Sequence, residues 1–139
     1  IERLLVEDLI PVISTIGSDL NGQAYNINAD TVAAAVAGAL SAERILYLTD
    51  VEGLLADVDD PSSRISRVDV SELAVLLADG TVSGGMIPKA QACLDALAAG
   101  VGSAHMVDGR IPHVVLLELF TDMGIGTMVL ADGQEMVDS

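Results

Sequence analysis

The sequence predicts an α/β fold, a three-layer αβα sandwich in which a mainly parallel sheet lies between helices. Short runs of β-branched and aliphatic residues alternate with Ala- and Leu-rich helical runs, and strands separated by helices pair in parallel through right-handed crossovers. Apolar residues make up 51% of the chain but aromatic residues only 2%, so small aliphatic side chains are expected to form the core. With 139 residues, the chain 1–139 is expected to form one domain.

The first 25 residues are predicted to contain the end of a helix, a strand and a hairpin. Residues 1–8 are amphipathic, and the β-branched run at residues 10–16 predicts a buried strand. Asn21 followed by Gly22 is a frequent hairpin turn. Residues 17–25 are therefore expected to fold back before the chain re-enters the domain.

A helix, a second strand and a long loop are predicted next. Residues 30–41 are Ala-rich and helical, and Asn28 or Asp30 can cap the exposed N–H groups at the start of this helix. Residues 45–48 predict a strand. The polar stretch 50–66 is broken by Gly, Pro, Asp and Ser residues, which predicts a loop with at most a short ribbon.

Two consecutive helices are predicted before the third strand. Residues 69–72 resemble a capping box, and the helix that they begin is expected to end at Gly80. Pro88 suits the first turn of the next helix, which is predicted to run to Gly100. Residues 103–107 predict the third strand.

The last part of the chain predicts a helix at residues 112–120, a glycine-containing turn at 121–126 and a short strand at 127–130. A polar tail follows. The predicted order is β-α-β-α-α-β-α-β, with helices on both faces of the sheet. Open sheets of this kind bind ligands in a crevice at the carboxyl ends of their strands.

The charge of the chain limits its partners. Six basic residues stand against 21 acidic ones, giving a net charge of −15, which argues against nucleic acid and anionic membranes. A nucleotide ligand would require the few cations to be concentrated at its phosphates. A single cysteine, Cys93, excludes an internal disulfide and agrees with a cytoplasmic location. No apolar run reaches the length of a membrane span, and Ile1 begins inside an amphipathic pattern, so the chain is expected to be truncated at its start.

The most informative single residue is Lys89, the only lysine in the chain. It follows Gly84 and Gly85 and falls in the first turn of a predicted helix, where the helix dipole disfavours a cation. Helix amides, a glycine loop and an ammonium group together make a site for phosphate oxygens. The alternative is a surface lysine whose aliphatic stem covers apolar neighbours.

Three short polar side chains, Asn26, Asn28 and Asp30, occupy alternate positions where an extended segment enters a helix. Alternation places them on one side of the segment. Asp30 can hold the ammonium of Lys89, while the carboxamides can bind a substrate carboxylate or amide. The alternative is helix capping, which needs only one of them.

Residues 48–55 leave a predicted strand at its carboxyl end and enter the long loop, which is where ligands bind to open α/β sheets. A plain turn remains the alternative for this segment.

Several motifs together resemble the N-acetylglutamate kinases of the amino-acid kinase family. They are Tyr-Asn-Ile-Asn-Ala-Asp, Leu-Thr-Asp-Val-Glu-Gly-Leu, Gly-Gly-Met-Ile-Pro-Lys, His-Met-Val-Asp-Gly-Arg and Leu-Leu-Glu-Leu-Phe-Thr-Asp-Met-Gly-Ile-Gly-Thr. The resemblance covers nearly the whole chain. It could be confused with aspartate, glutamate 5-, carbamate or UMP kinases, but the first and fourth motifs favour acetylglutamate.

The resemblance implies the carboxyl-terminal, MgATP-binding lobe of an enzyme that transfers a phosphoryl group to the γ-carboxylate of N-acetyl-L-glutamate in arginine biosynthesis. It implies catalytic roles for Lys89 and Asp30, and substrate binding by Asn26 and Asn28. The Mg²⁺ ion would be held mainly by the nucleotide. The residues implied to line the ATP site, besides Lys89, are Asp50, Val51, Glu52, Gly53, Leu54, Leu55, Thr81, Val82 and Ser83.

The resemblance also implies an arginine site, because His105, Glu118 and Gly124 match positions that bind the inhibitor in arginine-sensitive members. The alternative is a solvent-facing Glu118 and an ordinary exposed His105. The family's amino-terminal substrate lobe is missing from this sequence, so catalysis by the chain alone is not expected. The rival functions are a stand-alone nucleotide or arginine sensor and an excised fragment, and exposed apolar helix faces could support a homo-oligomer.

Overall fold

The computed structural model describes residues 1–121 and 124–134 and contains five α-helices and six strands within them. The long loop after the third strand adds a single 3-10 turn, Pro61–Ser63. The elements in chain order are α1 Glu2–Val6, β1 Ile16–Ser18, β2 Ala24–Asn26, α2 Ala29–Ala39, β3 Arg44–Thr49, β4 Arg67–Asp69, α3 Val70–Ala78, α4 Met86–Ala98, β5 Ser103–Asp108, α5 Val114–Phe120 and β6 Thr127–Leu130.

The main sheet has four strands in the order β3-β5-β6-β4. β3 pairs with β5 in parallel and β4 with β6 in parallel, whereas β5 and β6 are antiparallel. The predicted α/β fold with a mainly parallel sheet is therefore confirmed. β4 was not predicted, because its three residues fall between the polar loop and a helix cap and are too few for their alternation to indicate a strand.

Helices lie on both faces of the sheet. Ala104 and Met106 of β5 belong to the apolar core formed with Ala90 and Cys93 of α4, a core that α2 and α3 also join. Side chains alternate along a strand, and His105, between those two residues, contacts α5 instead. Three helices thus cover one face and α5 the other, and all six residues of β5 are buried between them.

Small residues allow α2 and α4 to pack closely side by side. The core contains Ala34 and Ala37 of α2 and Ala92 and Ala96 of α4, and all four are buried. A Cβ atom added to Gly38 would lie only 2.5 Å from the Cβ of Ala99. The Ala-rich sequence that predicts helix α2 therefore also determines how near the two helices approach.

The predicted buried strand at residues 10–16 is wrong. These residues form no strand before Ile16, and the side chains of Ile10 and Val12 are 91% and 95% exposed. A strand requires a neighbour to pair its backbone groups, and none of the described strands pairs with residues 10–14. β-branched composition alone therefore gave an incorrect prediction here.

The hairpin is confirmed, since β1 and β2 pair in antiparallel register from Ile16 opposite Asn26 to Ser18 opposite Ala24. Gly22 takes a positive φ of 82°, as the Asn-Gly signal requires. The loop is longer than two residues, because the N–H of Asp19 donates to the carbonyl of Gln23 across it.

The helix caps follow the sequence. The carboxylate of Asp69 accepts from the N–H of Glu72, as a capping box does, and α3 is followed by Gly80 at φ 84°. α5 begins at Val114, two residues after the predicted start, because His113 is in the left-handed region.

Two residues of the predicted turn at 121–126, and most of the polar tail, lie outside the described residues. No helix in the described part of the chain is long and apolar enough to cross a membrane.

Candidate functional site

The carboxyl ends of β3 and β5 and the amino ends of two helices meet at one edge of the sheet, called here the carboxyl edge. Thr49, the last residue of β3, is paired with Asp108, the last residue of β5. α2 ends shortly before β3 begins, and α4 ends shortly before β5 begins. Each helix therefore runs back across the sheet, and its first turn lies at the carboxyl edge.

Lys89 and Asp30 meet at this edge. The Nζ atom of Lys89, in the first turn of α4, donates to Oδ2 of Asp30, in the first turn of α2, over 3.1 Å. Their side chains are 22% and 20% exposed, so the ammonium does not extend into bulk water. The carboxylate offsets the unfavourable position of a cation at a helix start. Sequence reasoning predicted this pairing, and the structure brings the two groups together.

A buried hydrogen bond between the sheet and α4 fixes the position of the Lys89–Asp30 pair. The hydroxyl of Tyr47, a residue of β3, donates to the carbonyl of Ala92, which lies one turn after Lys89 in α4. Burial raises the pKa of the Tyr47 phenol far above its ordinary value, so the hydroxyl remains a donor. The sheet, α2 and α4 together hold the ammonium and the carboxylate in one geometry.

The two asparagines differ in their placement. Asn28 is the N-cap of α2, and its Oδ1 accepts from the N–H of Thr31 over 3.1 Å. The capping alternative therefore applies to Asn28. Asn26 is exposed in β2, opposite Ile16. Substrate binding by either residue stays a prediction.

The segment that follows β3 divides into an exposed and a buried part. Asp50, Val51 and Glu52 are exposed at the carboxyl edge. Leu54 is a core residue, and its N–H donates to Oγ1 of Thr127 in β6 over 2.8 Å. The Leu54 side chain is therefore unavailable to a ligand, contrary to the expectation that the whole segment lines a nucleotide.

Two further contacts anchor this segment. A Cβ atom on Gly53 would lie 2.6 Å from Oγ1 of Thr127, so only glycine allows this approach. Leu55 forms an isolated antiparallel bridge with Arg64, which is the short ribbon expected in the loop.

The loop between α3 and α4 also reaches the carboxyl edge, immediately before the helix that carries Lys89. Val82 is buried, and its N–H donates to the carbonyl of Leu76. Thr81 is half-buried and Ser83 is exposed. Of the three residues predicted to line the nucleotide, Val82 can offer only backbone groups.

Sequence reasoning missed Arg110 as a site residue. Its Nε and Nη2 atoms donate to both carboxylate oxygens of Asp108, each over 2.8 Å, just past the end of β5. Asp108 is buried, and the hydrogen bonds from Arg110 lower the pKa of its carboxyl group. The Asp-Gly-Arg sequence directly after a predicted strand could have indicated a site residue, but it was used only as part of the family resemblance.

His105, Glu118 and Gly124, the residues of the implied arginine site, are brought into one region, but their groups are already engaged. Nδ1 of His105 donates to Oε1 of Glu118 over 2.7 Å, and the N–H of Ile125 donates to Oε2. This hydrogen bond from His105 is the main reason that the pKa of Glu118 is lowered. The carbonyl of Gly124 accepts from the guanidinium of Arg64 over 2.8 Å.

The predicted alternative for this region, an exposed Glu118 and an exposed His105, is wrong. Both side chains are buried, at 5% and 7% exposure for Glu118 and His105 respectively. Ser103 completes the cluster, with its Oγ 2.9 Å from Nε2 of His105. The two carboxylate oxygens of Glu118 thus both accept hydrogen bonds inside this cluster.

Comparison with known proteins gives one family. A model of the amino acid kinase family matches residues 1–108. The acetylglutamate kinase of a Nostoc species is 55% identical over 130 residues, which cover 94% of this chain and 44% of that protein. That of Synechococcus elongatus is 53% identical over 133 residues, covering 96% and 44%. The chain thus spans less than half the length of these relatives.

Solved structures agree on the fold. N-acetylglutamate synthase from Neisseria gonorrhoeae, complexed with coenzyme A and L-arginine, superposes with a TM-score of 0.83 at 26% identity, covering 93% of this chain and 29% of that one. Carbamate kinase from Giardia lamblia bound to AMP-PNP superposes with a TM-score of 0.68 at 19% identity, covering 94% and 43%. The second likeness is one of fold alone.

Proposed function

Because the chain belongs to the amino acid kinase family, we propose that it is the ATP-binding, carboxyl-terminal half of an acetylglutamate kinase. The whole enzyme would transfer the γ-phosphoryl group of ATP to the side-chain carboxylate of N-acetyl-L-glutamate. The observation that carries the proposal is the ion pair between Lys89 and Asp30 at the carboxyl edge. The identity of over 50% to acetylglutamate kinases supports the choice of acceptor.

In this proposal Lys89 binds and neutralises phosphate oxygens of the nucleotide. Phosphoryl transfer depends mainly on positioning and on neutralisation of charge, so a preorganised ammonium at a helix start is well suited to it. The positive end of the α4 dipole would add partial positive charge beside the ammonium. Asp30 orients the amine, and Mg²⁺ would arrive with the nucleotide and neutralise further charge.

The exposed residues Asp50, Val51 and Glu52 and the loop that contains Ser83 are proposed to face the adenosine part. They flank the amino end of α4 at the same edge of the sheet. Binding of N-acetylglutamate is proposed to need residues beyond this chain as well as Asn26. For that reason we propose MgATP binding as the function of these residues, and phosphoryl transfer as that of the whole enzyme.

A second candidate function is sensing of arginine without catalysis. The observation that favours it is the clustering of His105, Glu118 and Gly124 in one region. The engaged state of Glu118 argues against it, because a guanidinium ligand would have to displace His105 and a backbone N–H from that carboxylate.

Calorimetric titration with MgATP and, separately, with arginine distinguishes the two functions. We expect saturable binding of MgATP, because the ammonium of Lys89 and the start of α4 offer a ready phosphate site. Arginine is expected to give no heat of binding above dilution. Arginine binding without any affinity for MgATP would contradict the proposed function and support the sensor. A chain that binds neither ligand but unfolds cooperatively would also contradict it.

A further inference from the structure

Arg110 presents a rigid guanidinium at the carboxyl edge. Its backbone N–H, Nε and Nη2 all donate to the carboxylate of Asp108, over 2.8 to 2.9 Å. A fork of two parallel bonds fixes the plane of the guanidinium, which reduces the entropy lost when it binds a ligand. Asp108 is buried, yet the Arg110 side chain remains 67% exposed. The group is therefore both oriented and accessible.

The face of the sheet on which Asp108 and Arg110 lie follows from the alternation of side chains along β5. Ala104 and Met106 belong to the core under α4, and Asp108 has the same parity, so its carboxylate lies on the α4 side. Lys89 is in the first turn of α4, on that side and at that edge. The N–H of Gly109 donates to the carbonyl of Thr49, which ties this turn to the end of β3. Arg110 and Lys89 thus belong to the same edge and the same side of the sheet.

Several carboxylates lie at the carboxyl edge and would repel a phosphate ligand. Lys89 is already paired with Asp30, and Asp50 follows directly after the residue of β3 that is paired with Asp108. The carboxylates of Asp108, Asp50 and Glu52 each raise the pKa of Arg110. In a chain with a net charge of −15, a polyphosphate at this edge therefore needs hydrogen-bond donors in addition to Lys89, and the fork on Asp108 uses Nε and Nη2 of Arg110 but not Nη1.

We propose that Arg110 is a phosphate-binding residue of this site, which recognises the polyphosphate of a nucleotide together with Lys89. This inference rests on the proposed function and extends it to a residue that neither the family resemblance nor the described pairing of Lys89 assigns. Asp108 acts through Arg110 as a positioning residue. The class of ligand is a nucleoside di- or triphosphate, because the contact is to phosphate charge and not to the base.

Arg44 provides a matched control. It is the first residue of β3, exposed at the opposite edge of the sheet. Five strand rises of ~3.3 Å place it ~16 Å from the carboxyl edge. That distance exceeds the Debye length of about 10 Å at 0.1 M salt. Arg110→Gln and Arg44→Gln therefore remove the same charge, but only the first removes it from the carboxyl edge.

The experiment measures the affinity of both variants and of the unaltered chain for adenosine, AMP, ADP and ATP at 0.1 M salt. Arg110→Gln is expected to weaken ATP binding roughly tenfold or more, ADP less, and adenosine not at all, since a charged hydrogen bond to phosphate is lost. Arg110→Lys is expected to recover only part of the affinity, because lysine keeps the charge but not the fork. Arg44→Gln is expected to match the unaltered chain.

The outcomes separate this inference from the function on which it rests. If the unaltered chain binds ATP and Arg110→Gln binds it equally well, Arg110 is not a phosphate ligand while the proposed function stands. If adenosine binding falls as much as ATP binding, Arg110 only supports the loop, and the inference is again wrong. If the unaltered chain binds no nucleotide, both proposals fail. Circular dichroism of each variant shows whether the fold is retained.

Discussion

Glu118→Ala is expected to destabilise the protein by about 3–5 kcal/mol, because the substitution breaks a buried pair and leaves its partners buried. His105 would lose the acceptor of Nδ1, and the N–H of Ile125 would lose Oε2. For a domain of this size the melting temperature should fall by roughly 10 °C or more. Chemical and thermal unfolding measure both quantities.

Glu118→Gln is the matched control, because it keeps the shape and one acceptor oxygen but removes the charge. The folded pKa of Glu118 is lowered from its ordinary value near 4.5. The resulting stabilisation is complete above that value and is lost as the pH falls through the folded pKa. The stability difference between the unaltered chain and Glu118→Gln should therefore shrink on acidification below pH 4.5. Equal stability of Glu118→Ala and the unaltered chain would contradict the buried pair.

Gly126→Ala is also expected to be strongly destabilising, because there is no space for a Cβ atom. The added carbon would overlap the carbonyl oxygen of Met106 and lie 2.7 Å from Cγ1 of Val107. Both contacts are to β5, one of the two inner strands, so the antiparallel pairing of β5 with β6 would have to open. Overpacking of a rigid core costs ~1–3 kcal/mol or more, and here backbone must move as well.

Gly85→Ala is the control for that prediction. Gly85 has a negative φ and no atom within 4 Å of an added Cβ, so its unfolding free energy should change little. Soluble expression, circular dichroism and thermal melting of the two variants compare them directly. A Gly126→Ala protein that melts like the unaltered chain would show that β5 and β6 are not as close as described.

The elements that were predicted correctly are those that short-range interactions specify and that the tertiary structure does not override. The Ala-rich run, the capping box at Asp69 and the Asn-Gly turn each specify their element through short-range bonds, and each is found. The ion pair of Lys89 and Asp30 was also predictable, because a cation at a helix start requires a compensating anion.

The features that were missed depend on neighbours in space. Residues 10–14 have strand composition but no pairing partner among the described strands, and β4 has a partner but is only three residues long. Glu118 is buried against His105 of β5, a contact that no local pattern reports. The sequence shows Asp108 and Arg110 as part of a motif. The exposure of Arg110 and the face of the sheet on which it lies depend on the position of β5 in the sheet.

The central claim is that the ammonium of Lys89 binds the phosphates of a nucleotide, and the most direct test is the MgATP affinity of Lys89→Ala measured by calorimetry. The exposed Gln91 on the same helix supplies the control substitution Gln91→Ala. We predict that Lys89→Ala loses at least about tenfold in affinity while its circular dichroism spectrum is unchanged, and that Gln91→Ala binds normally. Undiminished MgATP binding by Lys89→Ala would contradict the account.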